Sequence, residues 1–433
     1  MRIAKIVLSV LAVLTTVPFA YLGAPFQITR AASAVEQNFE LPLPSGDDSL
    51  VHSLVPRPRP TKTPVPTATY TPTYTPRPTN TNTALPTATL PSSPTLTPSP
   101  SVSSTPSPSA TSPSMRLYGL VGQGGLGEQI DPALLQQQYN AGVRLRLLQI
   151  GWDVLQPNGP ASWDSGIAAA FQQRIDAFTL NYPDQQIVLD LGLQYPPSWV
   201  SAIDPLVDQY GNTWQAHFPD GGVNVYWSLT VRQHVASYIQ RVFASLNFRG
   251  RLWLVRVGPY RGELMYPEQL NAGQNLSFWA FDSKAALQNP VPGWRPGQAS
   301  PNGEAQQFYY WYVDNLVNTF DFFRTEIRRY YQGYIAPVTP GVGMSSGNVS
   351  QLVSRNLYDP TLQWYGTGNY WQRIFQMLPG AGAGVVNWCS SVGDGSGNDS
   401  SPNWWEWSSA HAQAYLAQQS GRQIYGENPG QNP

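Results

Sequence analysis

The chain has 433 residues, a formal net charge of -1 and only 12% charged side chains, so bulk charge selects neither nucleic acid nor an acidic partner. A single cysteine, Cys389, excludes an intrachain disulfide, and the fold must rest on its core. Aromatic residues make up 12%, and all fifteen tryptophans fall between Trp152 and Trp407.

Arg2 and Lys5 precede an apolar run, Ile6 to Ala20, and Ala32-Ser33-Ala34 supplies a small-x-small cleavage site. Residues 1–34 therefore read as a secretory signal, or as an uncleaved N-terminal anchor attaching the chain to a membrane or cell wall. Both readings put the remainder outside the cytoplasm, secreted or at the cell surface. Residues 35–55 form a short mixed segment. Residues 56–114 are Thr/Pro/Ser repeats such as Thr71-Pro72-Thr73-Tyr74-Thr75-Pro76, with no acid between Ser49 and Gly127. A segment with so little apolar surface to bury cannot offset its ordering entropy and is expected to be a disordered spacer.

From Met115 short apolar strands alternate with helical periods, which predicts parallel βα units. The strands expected are Leu117 to Val121, Arg144 to Ile150, Ile187 to Leu193, Leu252 to Val257, Tyr334 to Val338, Val385 to Trp388 and Gln423 to Tyr425. Asp131-Pro132 is a helix start, acid at N-cap and proline at N1. Apolar stripes mark helices at Ile167, Phe171, Ile175 and Phe178, at Val231, Val235, Val242 and Leu246, and along about 304–331. The expected fold is α/β, a (β/α)8 TIM-type barrel over 115–433 that lacks its last βα unit.

Two motifs invite other chemistry. Gly122, Gly124 and Gly127 satisfy G-x-G-x-x-G, but the next helix waits for the Asp131-Pro132 cap, so the loop does not open a helix as a dinucleotide site requires. Gly343, Ser345 and Gly347 satisfy G-x-S-x-G, yet Pro337, Pro340 and Gly341 break the strand that a nucleophile elbow needs. The four histidines are scattered, and neither a metal nor another cofactor is expected.

Glu263 and Glu427 remain, each just past a strand end, where barrel enzymes keep their chemistry. One carboxyl kept protonated and one ionised can divide the work of glycoside cleavage. The arrangement resembles clan A of the glycoside hydrolases, whose barrels place the acid/base after strand four and the nucleophile after strand seven. Gly151-Trp152-Asp153 with Gln156-Pro157, and Pro196-Pro197-Ser198-Trp199, look like strand ends of microbial β-galactosidases in that clan. The segment Gly258-Pro259-Tyr260-Arg261-Gly262-Glu263-Leu264-Met265-Tyr266-Pro267 is more similar to the acid segment of β-amylases, which invert. Gly262 stands where clan A usually has Asn.

The resemblance implies an oligo- or polysaccharide substrate, with Glu263 as general acid/base and Glu427 as nucleophile; Asp153 or Glu406 is where the search turns if Glu427 proves dispensable. Trp152, Asp153, Tyr195, Trp199, Tyr260, Arg261, Trp388 and Asn428 are the expected sugar-binding residues. A carbohydrate-binding or cell-surface barrel without catalysis is the competing expectation.

Overall fold

The computed structural model describes residues 118–120, 124–126, 128–216, 220–268, 276–359, 363–390 and 397–427. The expected signal and spacer lie outside these residues, as do Gly122, Gly127 and Asn428.

Seven strands form one sheet: β1 (Tyr118–Leu120), β2 (Val143–Gln149), β3 (Gln186–Asp190), β4 (Leu252–Val257), β5 (Tyr334–Thr339), β6 (Asn387–Cys389) and β7 (Ile424–Gly426). Each pairs in parallel with the next, in sequence order. The crossovers are helices Pro132–Asn140, Ser165–Thr179, Leu229–Ser245, Glu304–Arg328, Ser346–Ser354, Trp371–Met377 and Ser409–Gln419, joined by shorter turns. Their starts are written in the sequence. Asp131 Oδ1 accepts from the N–H groups of Ala133 and Leu134, Asp164 from Ile167, and Ser228 from Val231, which satisfies donors that a helix end otherwise leaves open.

Alternate strand residues feed two separate apolar layers. Leu148, Ile187, Leu189, Val255, Val257 and Ile335 pack outward among helix residues such as Val231, Val235, Tyr238 and Phe320. Leu145, Leu147, Val188, Leu254, Ala336, Val338, Val386 and Trp388 form a second cluster on the inner face, joined by Trp253 and Tyr425. A flat sheet would not gather these into one cluster. The sheet is curled into a half-barrel, tightly enough for Tyr425 of β7 to meet Trp253 of β4 edge-on at 4.8 Å. A bulge helps: Ile187 pairs with Leu252 but Val188 with Leu254, so Trp253 is the extra residue that bends β4.

The barrel-type α/β architecture expected from the strand and helix pattern is thus present. Among the described residues β7 does not pair with β1, and no eighth strand occurs.

Candidate active site

The first glutamate is carried by a tight turn. After β4, Gly258 and Pro259 lead into Tyr260–Glu263, where Tyr260 N–H donates to the Glu263 carbonyl at 3.3 Å and Glu263 N–H to the Tyr260 carbonyl at 2.8 Å. Arg261 and Gly262 have φ of 50° and 77°, both left-handed, which defines a type I′ turn. That geometry accounts for the glycine directly before Glu263. Gly258 is required for a second reason: a Cβ there would lie 2.1 Å from the Gly262 carbonyl oxygen. The turn is braced by Gly222 N–H on Pro259 O (3.0 Å), Arg261 N–H on Asp220 O (2.7 Å) and Leu264 N–H on Val338 O (2.7 Å). Glu263 is folded back over the C-terminal end of the sheet. There the hydroxyl of Ser390, directly after β6, donates to its Oε1.

The second glutamate follows β7. Glu427 N–H donates to the Cys389 carbonyl at 3.0 Å, extending the β6–β7 ladder. Its Oε2 is ion-paired with Arg256 Nη1. Arg256 reaches Asp190 at the end of β3 as well, through Nε at 3.0 Å and Nη2 at 2.9 Å. The side chains of Arg256, Asp190 and Glu427 are 7%, 3% and 15% exposed, so two acids share one cation in a nearly dry setting. Arg256 lies on the inner face with Leu254, and its guanidinium sits 5.5 Å from the centre of the Trp388 ring.

The electrostatics separate the two carboxyls. Burial is the main force pushing Glu263 up to about 7, with the charge of Glu427 adding to it and the Ser390 hydroxyl and Arg261 opposing it. Burial also raises Glu427, but Arg256 pulls in the other direction by charge and by hydrogen bond. Burial works against the charge on Arg256, and Asp190 and Glu427 overcome it, holding the guanidinium above its ordinary pKa. A single proton shared by the pair therefore resides on Glu263, the carboxyl without a cation bonded to it.

Of the expected sugar-binding residues, the structure gathers only some near the pair. Tyr195 is half-buried, with Asp190, Arg256 and Asp153 in electrostatic reach; burial raises its hydroxyl pKa, and Asp190 adds to that. Asp153 is half-buried too, its N–H donates to Tyr195 O at 2.9 Å, and burial raises its carboxyl. Arg261 is exposed and tied to Asp220 at 3.0 Å and to Glu268. Trp388 forms part of the inner layer.

Trp152, Trp199 and Tyr260 sit differently. Trp152 is wholly buried, stacked on Tyr238 at 5.2 Å with its indole N–H on Gln156 Oε1. Trp199 packs edge-on against Trp152 at 6.2 Å and donates to the Gln156 carbonyl. Tyr260, 1% exposed, packs edge-on against Trp214 at 5.6 Å. Trp152 and Tyr260 are thus packed into the core, while Trp199 is partly buried against it. Asn428 lies outside the described residues.

Sequence reasoning passed over Asp190, Arg256, Gln194 and Ser390. Arg256 had a readable signal: a cation inside a strand buried on both sides must be paired. Nothing local named Asp190 as its partner. The G-x-S-x-G serine is structural, because Ser345 is the N-cap of Ser346–Ser354 in a capping box with Asn348. Among the described residues no group of His, Cys, Asp or Glu is arranged to hold a metal ion.

A curled parallel sheet with ionisable side chains over its C-terminal end has the layout of a TIM-type barrel. No family model matches the chain, and no curated protein does. Solved structures do. The catalytic domain of β-amylase from Paenibacillus polymyxa superposes with a TM-score of 0.51 at 15% identity, over 72% of this chain and 85% of that one. β-Galactosidase from Marinomonas ef1 gives 0.40 at 11%, over 66% and 42% respectively. Endo-glycoceramidase II from Rhodococcus sp. gives 0.33 at 11%, over 70% and 69%. The β-amylase match shows a shared fold, the barrel-type architecture that the strand and helix pattern predicts.

Proposed function

We propose that the chain is a glycoside hydrolase acting on an oligo- or polysaccharide outside the cytoplasm, with Glu263 as general acid/base and Glu427 as nucleophile. The observation that carries this reading is the paired environment. Two largely but not fully buried carboxyls within electrostatic reach of each other share the C-terminal end of a parallel half-barrel, one pushed to about 7 and the other ion-paired to Arg256. A carboxylic acid poised near neutrality can give its proton to a leaving oxygen at the pH where the enzyme works. The carboxylate held by Arg256 through Oε2 keeps Oε1 for the anomeric carbon. An ion-paired carboxylate is a poor general base for water, which favours covalent attack and retention of configuration. Departure of the aglycone protonated by Glu263 would leave a glycosyl ester on Glu427. Glu263, now a carboxylate, would then draw the proton from the water that hydrolyses the ester.

The test is a screen of para-nitrophenyl glycosides with the wild type and two variants. Glu427→Gln is expected to lose turnover on every substrate. Added azide is expected to restore part of the activity of Glu427→Gly and to give a glycosyl azide of inverted configuration. Near-normal activity in Glu427→Gln would remove Glu427 from the reaction and return the search to Asp153 or Glu406. Sugar binding without any hydrolysis by the wild type would favour the reading as a carbohydrate-binding barrel.

A further inference from the structure

Two polar atoms beside the carboxylate pair are buried and have no hydrogen-bond partner among the described residues: Gln194 Oε1 and Trp388 Nε1. The residues are 4% and 7% exposed. Nearly all such atoms in folded proteins are bonded, and leaving one open is costly. One lies beside each glutamate. Gln194 stands beyond β3 against the acid-bearing turn, its Nε2 lying 3.3 Å from where a Cβ on Gly262 would sit. Its amide also acts on the neighbouring Tyr195 hydroxyl, whose pKa it lowers, so the nitrogen end is engaged while Oε1 is open. Trp388 is the inner residue of β6, and its indole N–H acts on the Glu427 carboxyl without meeting hydrogen-bond geometry. The guanidinium of Arg256 lies over that ring at 5.5 Å, and the ring of Tyr425 is tilted against it at 6.4 Å. The indole thus offers an edge to the site more readily than a face.

We propose that Gln194 and Trp388 read hydroxyl groups of the sugar bound between the two glutamates. Gln194 Oε1 accepts from one hydroxyl on the Glu263 side, and Trp388 Nε1 donates to another on the Glu427 side. This rests on the glycosidase reading and adds to it a specificity. The sugar must carry free hydroxyls at two defined positions, and a deoxy or O-substituted sugar is rejected, because its loss strands a buried polar atom. Trp388 then works through its N–H and not as a stacking platform.

The experiment compares kcat/KM of the wild type, Gln194→Met and Trp388→Phe on the para-nitrophenyl glycoside that is cleaved best and on its monodeoxy analogues. Each variant is expected to lose about 10- to 100-fold on the parent glycoside. For each, that loss should disappear on one analogue, a different one for the two variants, and persist on the rest. A structural role predicts the same loss on every analogue, and that result would overturn the proposal, as would no loss at all. If a variant fails to fold, the wild type alone decides: equal kcat/KM on all analogues overturns the inference while leaving the glycosidase reading standing. A wild type that hydrolyses none of the glycosides, together with no sugar binding to Glu427→Gln by calorimetry, overturns both.

Discussion

Glu263 carries a proton where an ordinary glutamate would not. Its folded pKa of about 7 lies above the unfolded carboxylate value near 4.3, so the native state binds that proton more tightly. Below about pH 4 the group is protonated in both states and makes no difference to stability. Between about pH 4 and 7 the unfolded chain ionises this group while the fold keeps it protonated, and the fold loses on the order of 3–4 kcal/mol. Glu263→Gln should therefore raise the melting temperature at pH 8 and leave it nearly unchanged at pH 4; a rise of equal size at both would disprove the assignment. In the wild type, kcat/KM should fall above about pH 7, and on activated aryl glycosides Glu263→Gln should lose that limb. Arg256 makes a second prediction. Arg256→Met strands Asp190 and Glu427 as two buried acids without a cation, at a cost of about 3–5 kcal/mol in urea unfolding. Adding Asp190→Asn should recover part of that loss, whereas independent effects would simply add. The glutamates were legible from their positions after apolar strands. The cation joining Glu427 to Asp190 was visible only as an interruption in β4, since an ion pair across three strands leaves no local pattern.

The same contrast holds for whole elements. Strands with four or more apolar residues and helices with a clean stripe, such as Leu229–Ser245 and Glu304–Arg328, could be read directly. Ser346–Ser354, Trp371–Met377 and Ser409–Gln419 were not assigned, being short and rich in Ser, Gly, Gln and Trp, with tertiary packing fixing what propensity leaves open. The tryptophans were read by chain position, which cannot tell the cleft side of a strand end from its core side; Trp152 follows β2 closely yet turns into the core through the short helix Trp152–Leu155. If the proposed mechanism holds, the turn that bears Glu263 is the element on which turnover depends most. Gly262→Val forces a β-branched residue to φ near 77°, and should cost about 1–3 kcal/mol while displacing Glu263. The activity of Gly262→Val should fall more steeply than its thermal stability. Ser345→Ala serves as the opposite case. It removes a helix cap worth about 1 kcal/mol, and glycoside turnover should survive at a temperature where the variant is folded. Loss of turnover by folded Ser345→Ala would revive a serine mechanism.

At the scale of the molecule, the half-barrel rests on two cores with different duties. The outer layer fastens helices to strands. The inner cluster draws on each of β2 to β6, and the polar network is built directly on its upper end: Leu254 precedes Arg256 on the same face of β4, and Val188 precedes Asp190 on β3. Arg256, Asp190 and Trp388 thus take their positions from how closely that cluster packs, because close-packed interiors transmit small displacements. Leu254 is completely buried, and Leu254→Ala should cost about 2–5 kcal/mol through lost contacts and the cavity left behind. The consequence reaches past stability. With the floor beneath it removed, β4 can settle inward, and the Arg256 bridge between Asp190 and Glu427 loses its fixed length. A reacting geometry tolerates little of that. Leu254→Ala should therefore show kcat reduced by about tenfold or more at temperatures well below its own melting point, with KM changed less. Leu287→Ala, at a site 86% exposed, should leave both stability and kcat unaltered. If Leu254→Ala unfolds earlier but turns over substrate at the wild-type rate until it does, the inner core supports the fold alone and the site is positioned from elsewhere, by the loops above the strands.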